Sequence, residues 1–227
     1  MILAIDTATL DAGAAVVQTD GLVVAVRRVR VTIHSDALLT MVDAVLKEAG
    51  IGPADLDAVA CGAGPGSFTG LRIGLATAKG LCLALEKPLI MVSSLQALAA
   101  QVPAGTLAIP ILDAFRGELY AGFYRAGDPP QPLSDEVVAP PERVRQRIEE
   151  LIRQGEVPML IGDGLGRWPV LQVDRPVIAG PDPVDVARIA RHRWRRGESD
   201  DLDRAVPRYI RPSEAELKSS APRNPSR

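Results

Sequence analysis

Gly70, Gly74, Ala78 and Cys82 recur every fourth position, a spacing that gathers their small side chains on one ridge of a single helix. An interior glycine costs a helix about 1 kcal/mol relative to alanine, so two on one ridge imply that another backbone comes close. Leu71, Ile73, Leu75, Leu81, Leu83 and Leu85 leave little of this helix polar. It is therefore either wholly internal or apolar on two sides, with one side against a sheet and the other against a partner. The helix from Ser35 to about Ala49 is also apolar over more than one stripe, through Leu38, Leu39, Met41, Val42, Val45 and Leu46. That favours the partner reading, with the two helices forming half of an intermolecular four-helix bundle. The expected interface residues are Leu38, Leu39, Val42, Val45, Gly70, Arg72, Gly74 and Ala78, with Arg72 an ion-pair donor to a partner carboxylate.

The helix is opened by GPGSFTGLRIG (Gly64 to Gly74), between a strand pattern and a helix pattern, where phosphate-binding loops occur. The usual templates fail on spacing. A Walker loop needs Gly-Lys where Thr69 begins; a dinucleotide fingerprint from Gly62 meets Ser67 in place of its third glycine; a nucleophile elbow is excluded because Ser67 directly follows Gly66.

Strand patterns at Ile2–Asp6, Ala14–Gln18 and Leu22–Val29, joined by short turns, predict an antiparallel meander. The helix from Ser35 follows, capped beyond its end by Gly50. Then come a strand (Leu56 to Cys61), the glycine-rich helix (about Thr69 to Leu85), a strand (Leu89 to Val92) and a helix (Ser94 to Gln101). The order βββαβαβα is that of one ribonuclease-H-like lobe, which actin-like (ASKHA) proteins contain twice; a plain doubly wound sheet would alternate from its first strand. The second half restarts the plan: Ile109-Pro110-Ile111-Leu112-Asp113 echoes Ile2-Leu3-Ala4-Ile5-Asp6, and a second strand follows at Glu118–Tyr124. A proline-rich loop, a strand near Val137, a helix Glu142–Gln154, a strand Met159–Gly162 and a last helix Val184–Arg196 complete it. The expected organisation is an α/β fold of two lobes: residues 1–103, a shorter irregular lobe at 104–211, and a polar tail at 212–227.

A formal net charge of -2 argues against a stand-alone nucleic-acid binder, which needs an excess of cations. Arg188, Arg191, Arg193, Arg195 and Arg196 make the last helix basic; a solvated face at a helix C-terminus is preferred over a tRNA-facing patch. Cys61 and Cys82 read as buried free thiols. Met1 leads straight into an apolar strand without a basic leader, and the apolar stretch from Ile73 to Leu85 is short for a bilayer, so a cytoplasmic protein away from membranes is expected.

AIDTAT, His34 with Leu38-Leu39, GPGSFTGLRIG, DAFRGELY (Asp113 to Tyr120), IGDG (Ile161 to Gly164) and PRYIR (Pro207 to Arg211) together resemble the TsaB (YeaZ) family, over nearly the whole chain and in order. The resemblance implies a non-catalytic, activating subunit of the machinery that makes threonylcarbamoyladenosine beside the tRNA anticodon. It implies docking of the first-lobe helices on a TsaD-type catalytic sister, a homodimer through the same surface when alone, and the TsaE-type ATPase as a further partner. tRNA would be met through the complex, and a nucleotide, if any, at a complex interface rather than in the isolated chain. The sister carries a metal-binding His-x-x-x-His after the strand that follows the glycine-rich helix; Ser94 and Leu98 stand at those places here, so no metal site is expected. The competing reading is an actin-like ATPase or hydrolase acting through Asp6 and Asp113, the strand-end acids, with Gly162 and Gly164 flanking Asp163 in the nucleotide turn. The bland alternative is that these acids bond backbone N–H groups in turns.

Overall fold

The computed structural model describes residues 1–30, 35–171 and 177–210, with backbone only at 35–37; His34 and the expected tail lie outside the described residues. The first half follows the expected order: β1 (Ile2–Asp6), β2 (Asp11–Val17), β3 (Val23–Arg30), α1 (Ser35–Glu48), β4 (Ala58–Gly64), α2 (Phe68–Leu85), β5 (Leu89–Ser93) and α3 (Ser94–Ala99). The sheet runs β3-β2-β1-β4-β5, with β1 antiparallel to β2 and parallel to β4. Strand alternation sorts the side chains of β1: Leu3 and Ile5 pack under α1 and α2, whereas Ile2 and Ala4 pack on the opposite face.

The second half repeats the pattern around β6 (Leu107–Asp113), which pairs antiparallel with β7 (Leu119–Ala121) and parallel with β11 (Pro158–Ile161). The expected strand Glu118–Tyr124 is split into β7 and β8 (Tyr124–Arg125). Pro110, mid-strand in β6, has no N–H to donate, and its carbonyl takes the Gly122 N–H at 3.2 Å where the two short strands part. β9 (Gln131–Pro132), β10 (Val137–Ala139) and α4 (Pro141–Arg153) complete this lobe.

The last helix corrects the expected boundary. α5 (Pro183–Arg195) returns to the first lobe, where Val184, Val186, Ala187, Ile189 and Ala190 cover Ile2, Ala4, Ala15 and Val17. Residues 200–210 follow as a strap across the same lobe: Asp200 bridges the free edge of β5 at Leu89, and the Arg208 N–H donates to the Ala63 carbonyl at 2.8 Å. α3 is shared, with Ala97 in the first-lobe core and Leu95 and Leu98 in a core with β6 and Tyr124. α2 is long and apolar enough to cross a bilayer by length and composition, but Gly70, Leu71, Gly74, Leu75, Ala78 and Cys82 pack one of its faces into the protein.

Candidate functional site

The glycine-rich segment is built around the turn that follows β1. Ser67 caps α2 by accepting the Gly70 N–H at 3.3 Å and donates its own N–H to the Ala8 carbonyl at 2.6 Å. Thr7 Oγ1 donates to the Gly70 carbonyl at 2.8 Å. A Cβ at Gly66 would lie 2.4 Å from the Ala8 oxygen, and one at Gly70 2.1 Å from the Thr7 oxygen. The ridge of small residues therefore meets the chain's own backbone. Gly70, Gly74 and Ala78, expected at a partner interface, are buried inside the protein, as are Leu38, Val42 and Val45 in the core beneath α1. Leu39, 59% exposed, and Arg72 remain on the surface.

A second row of small side chains, missed in the sequence because it is weaker, lies on the outward face of α2: Ala76, Gly80 and Ala84. Ala76, Gly80 and Ala84 are exposed, and a Cβ at Gly80 would meet nothing within 4 Å among the described residues. Leu83, 74% exposed, stands beside the row, and Phe68 is exposed at the helix start. There Arg72 lies 3.8 Å above the Phe68 ring and donates from Nε to the Tyr209 hydroxyl at 2.9 Å. The strap brings Tyr209 to this face, with its ring centroid 5.3 Å from that of Phe68. Arg72, the expected donor to a partner, is thus held in part by Tyr209 of its own chain.

The cleft candidates Asp6 and Asp113 end β1 and β6. Asp6 is fully buried; its Oδ1 accepts the Ala8 N–H at 2.9 Å, and its Oδ2 sits where a Cβ on Gly62 would fall, at 1.9 Å. Oδ2 and the Ser94 hydroxyl each lack a hydrogen-bond partner of normal geometry among the described residues, although Ser94 is near enough to favour the ionised carboxylate. Burial pushes the Asp6 carboxyl up to about 7; the Ala8 N–H pulls it down, Asp182 pushes it further up, and Ser94 pulls it down. Asp113 accepts the Phe115 N–H at 2.8 Å and pairs with Arg167 at 2.5 Å. Gly162 and Gly164 are buried against β6, where a Cβ on Gly162 would lie 1.8 Å from the Ile111 oxygen. Asp6, Asp113, Gly162 and Gly164, the residues expected to face a nucleotide, are thus each in contact with atoms of their own chain. Among the described residues, no three His, Cys, Asp or Glu side chains gather as a metal ligand set. At the places of the sister's histidines, Ser94 and Leu98 are both fully buried.

The basic helix is occupied too. Arg191 is buried and bonds the Asp20 carbonyl and Asp128, while Arg193 bonds the Met91 carbonyl and Asp200. Arg188 pairs with Asp185, and Arg196 with Glu198. Cys61 and Cys82 are buried free thiols, pushed up by burial.

Two β-sheets on one plan, bridged by α3 and closed by a returning α5, define a two-lobed α/β protein of the actin-like class. A family model described as TsaD, tRNA N6-adenosine threonylcarbamoyltransferase, matches residues 29–164. The chain is 34% identical over 221 residues to the tRNA threonylcarbamoyladenosine biosynthesis protein TsaB of Escherichia coli (strain K12), covering 92% of this chain and 94% of that one. It is 30% identical over 230 residues to the protein of the same name from Bacillus subtilis (strain 168), covering 96% of each. The solved structure of YeaZ from Pseudomonas aeruginosa superposes with a TM-score of 0.78 at 30% identity, over 91% of this chain and 98% of that one. The chain belongs to the TsaB family.

Proposed function

We propose that this chain is the non-catalytic, activating subunit of the machinery that makes threonylcarbamoyladenosine in tRNA, and that it docks on a TsaD-type catalytic subunit through the outward faces of α1 and α2. The observation that carries the docking is the open row of Ala76 and Gly80 on the helix that exposes Leu83 and Phe68, with Leu39 exposed on α1. An apolar row without side-chain bulk lets a second helix approach closely. The names of the E. coli and B. subtilis relatives support the pathway. The spent cleft acids and the Ser94 and Leu98 substitutions support a role without catalysis in this chain. The reading places the protein in the cytoplasm, with the TsaE-type ATPase as a further partner and tRNA met through the complex. Self-association through the α2 face occurs when the sister is absent. The chain takes no cofactor by itself, and any nucleotide sits at the complex interface. The ATPase or hydrolase alternative would need Asp6 to reach a ligand, and its burial against Gly62 speaks against that.

The test is size-exclusion chromatography with light scattering on the chain alone and mixed with its TsaD-type sister, followed by threonylcarbamoyl transfer to tRNA. A heterodimer that forms at the expense of the homodimer, with transfer by the mixture only, is expected. No complex, or turnover by this chain alone that vanishes in Asp6→Asn, would overturn the reading.

A further inference from the structure

Glu136 lies in the loop before β10, and its side chain is 3% exposed. Three other parts of the chain meet on its carboxylate. The Ser93 hydroxyl, at the end of β5, and the Tyr124 hydroxyl, on β8, both donate to Oε1. Oε2 lies 3.4 Å from Arg208 Nη1 on the strap, an ion-pair separation, and has no hydrogen-bond partner among the described residues. Burial, reinforced by the Glu136 charge, pushes the Tyr124 phenol far up, so it remains a donor. Ser93 also caps α3, accepting the Leu95 and Gln96 N–H groups at 3.2 and 3.3 Å, which fixes its position.

The geometry points to Glu136 as a positioning residue for the docking surface: through Arg208 it sets where the strap, and therefore Tyr209, meets Phe68 and Arg72 on α2. The inference rests on the docking reading for its function, but not for its structural half. Arg208 and Tyr209 are consecutive, so the Arg208 guanidinium is tied to the lobe junction while the next side chain enters the α2 face. The strap is also held there by the Arg208 N–H to Ala63, by Arg72 and Phe68 on Tyr209 and, further back, by Lys79 Nζ to the Ala205 carbonyl at 3.2 Å. A buried carboxylate oxygen without a hydrogen bond is costly, and a small inward movement of Arg208 would supply one.

The experiment combines amide hydrogen exchange on the isolated full chain with affinity for the TsaD-type subunit, for wild type, Glu136→Gln, Arg208→Gln, Arg208→Lys and the double Glu136→Gln/Arg208→Gln variant. Either glutamine variant is expected to speed exchange at the Arg208 amide while amides of β6 and α4 keep their protection. Each should weaken docking about tenfold, with the double variant no weaker than the singles. Arg208→Lys, which keeps a cation, should bind within about threefold of wild type. Unchanged exchange at Arg208, additive losses in the double variant, or wild-type docking by both glutamine variants would overturn the inference. If wild type itself fails to dock, the proposed function falls, and the exchange measurement still decides whether Glu136 holds the strap. Arg208 is half exposed, so Arg208→Gln folds even where Glu136→Gln does not.

Discussion

A Cβ on Gly74 would lie 2.2 Å from Thr7 Oγ1, so the glycine ridge of α2 is shaped by the turn after β1 and not by a partner. The same Oγ1 donates to the Gly70 carbonyl, which places the threonine between the two glycines.

Gly74→Ala is therefore expected to destabilise the isolated chain, by about 2 kcal/mol, because the forced overlap outweighs the gain in helix propensity. Gly80→Ala is the contrasting case, since its Cβ meets no described atom. It should stabilise the isolated chain by up to about 1 kcal/mol. Urea unfolding of the two variants separates them, and equal midpoints would mean that the two sides of α2 are equally open.

Leu83→Glu should leave the urea midpoint of the isolated chain within about 0.5 kcal/mol of wild type, because the side chain is 74% exposed. It should weaken association with the TsaD-type subunit at least about tenfold, by placing a charge in an apolar contact. Titration by isothermal calorimetry reads the loss; undiminished affinity would move the docking surface off α2.

Asp6 gives a pH dependence whose sign follows from burial. Its carboxyl is raised from an ordinary 3.8 to about 7 in the folded state, so between those values the folded chain holds a proton that the unfolded chain has released. Stability then falls as pH rises through this window, by on the order of 4 kcal/mol in all, and the loss is complete once pH passes the folded value. Asp6→Asn removes the contribution. Asp185, raised to about 6 mainly by burial, acts in the same direction but is common to both proteins. The difference in unfolding free energy between wild type and Asp6→Asn, followed from pH 4 to 8, isolates Asp6. A flat difference would mean that the carboxyl is solvated.

Much of the fold was legible because its signals are local. The meander, the βαβα succession and the repeat of an apolar strand ending in Asp are set by alternation and turn residues within some ten positions of one another. The direction of the α2 ridge was not legible. α2 carries two small rows, Gly70-Gly74-Ala78-Cys82 and Ala76-Gly80-Ala84, and spacing shows that a close approach exists without showing what approaches. The stronger row meets Thr7, and the weaker one is open. The placement of α5 was hidden for a related reason: its apolar stripe requires a sheet to cover, and both lobes offer one. Val186 and Ala190 chose the sheet of Ile2 and Ala4, some 180 residues away. Glu136 carried no sequence signal, since an acid among polar loop residues reads as solvated.

The basic last helix supplies the remaining prediction. Arg191 is buried, its guanidinium lies where a Cβ on Gly21 would fall, and it joins the β2–β3 turn to Asp128 of the second lobe. Arg191→Ala leaves the Asp20 carbonyl and one oxygen of Asp128 without their donor, and about 2–4 kcal/mol of stability should be lost. Arg195, exposed at the end of α5, should be replaceable by alanine within about 0.5 kcal/mol. The tRNA affinity of the isolated chain distinguishes a structural role for these cations from an RNA-binding one. If α5 were an RNA surface, Arg195→Ala would weaken binding and lower the salt slope by about one. Because most of the helix's guanidiniums are already paired with acids or carbonyls, the expected result is no change in tRNA affinity in Arg195→Ala and a lowered unfolding midpoint in Arg191→Ala.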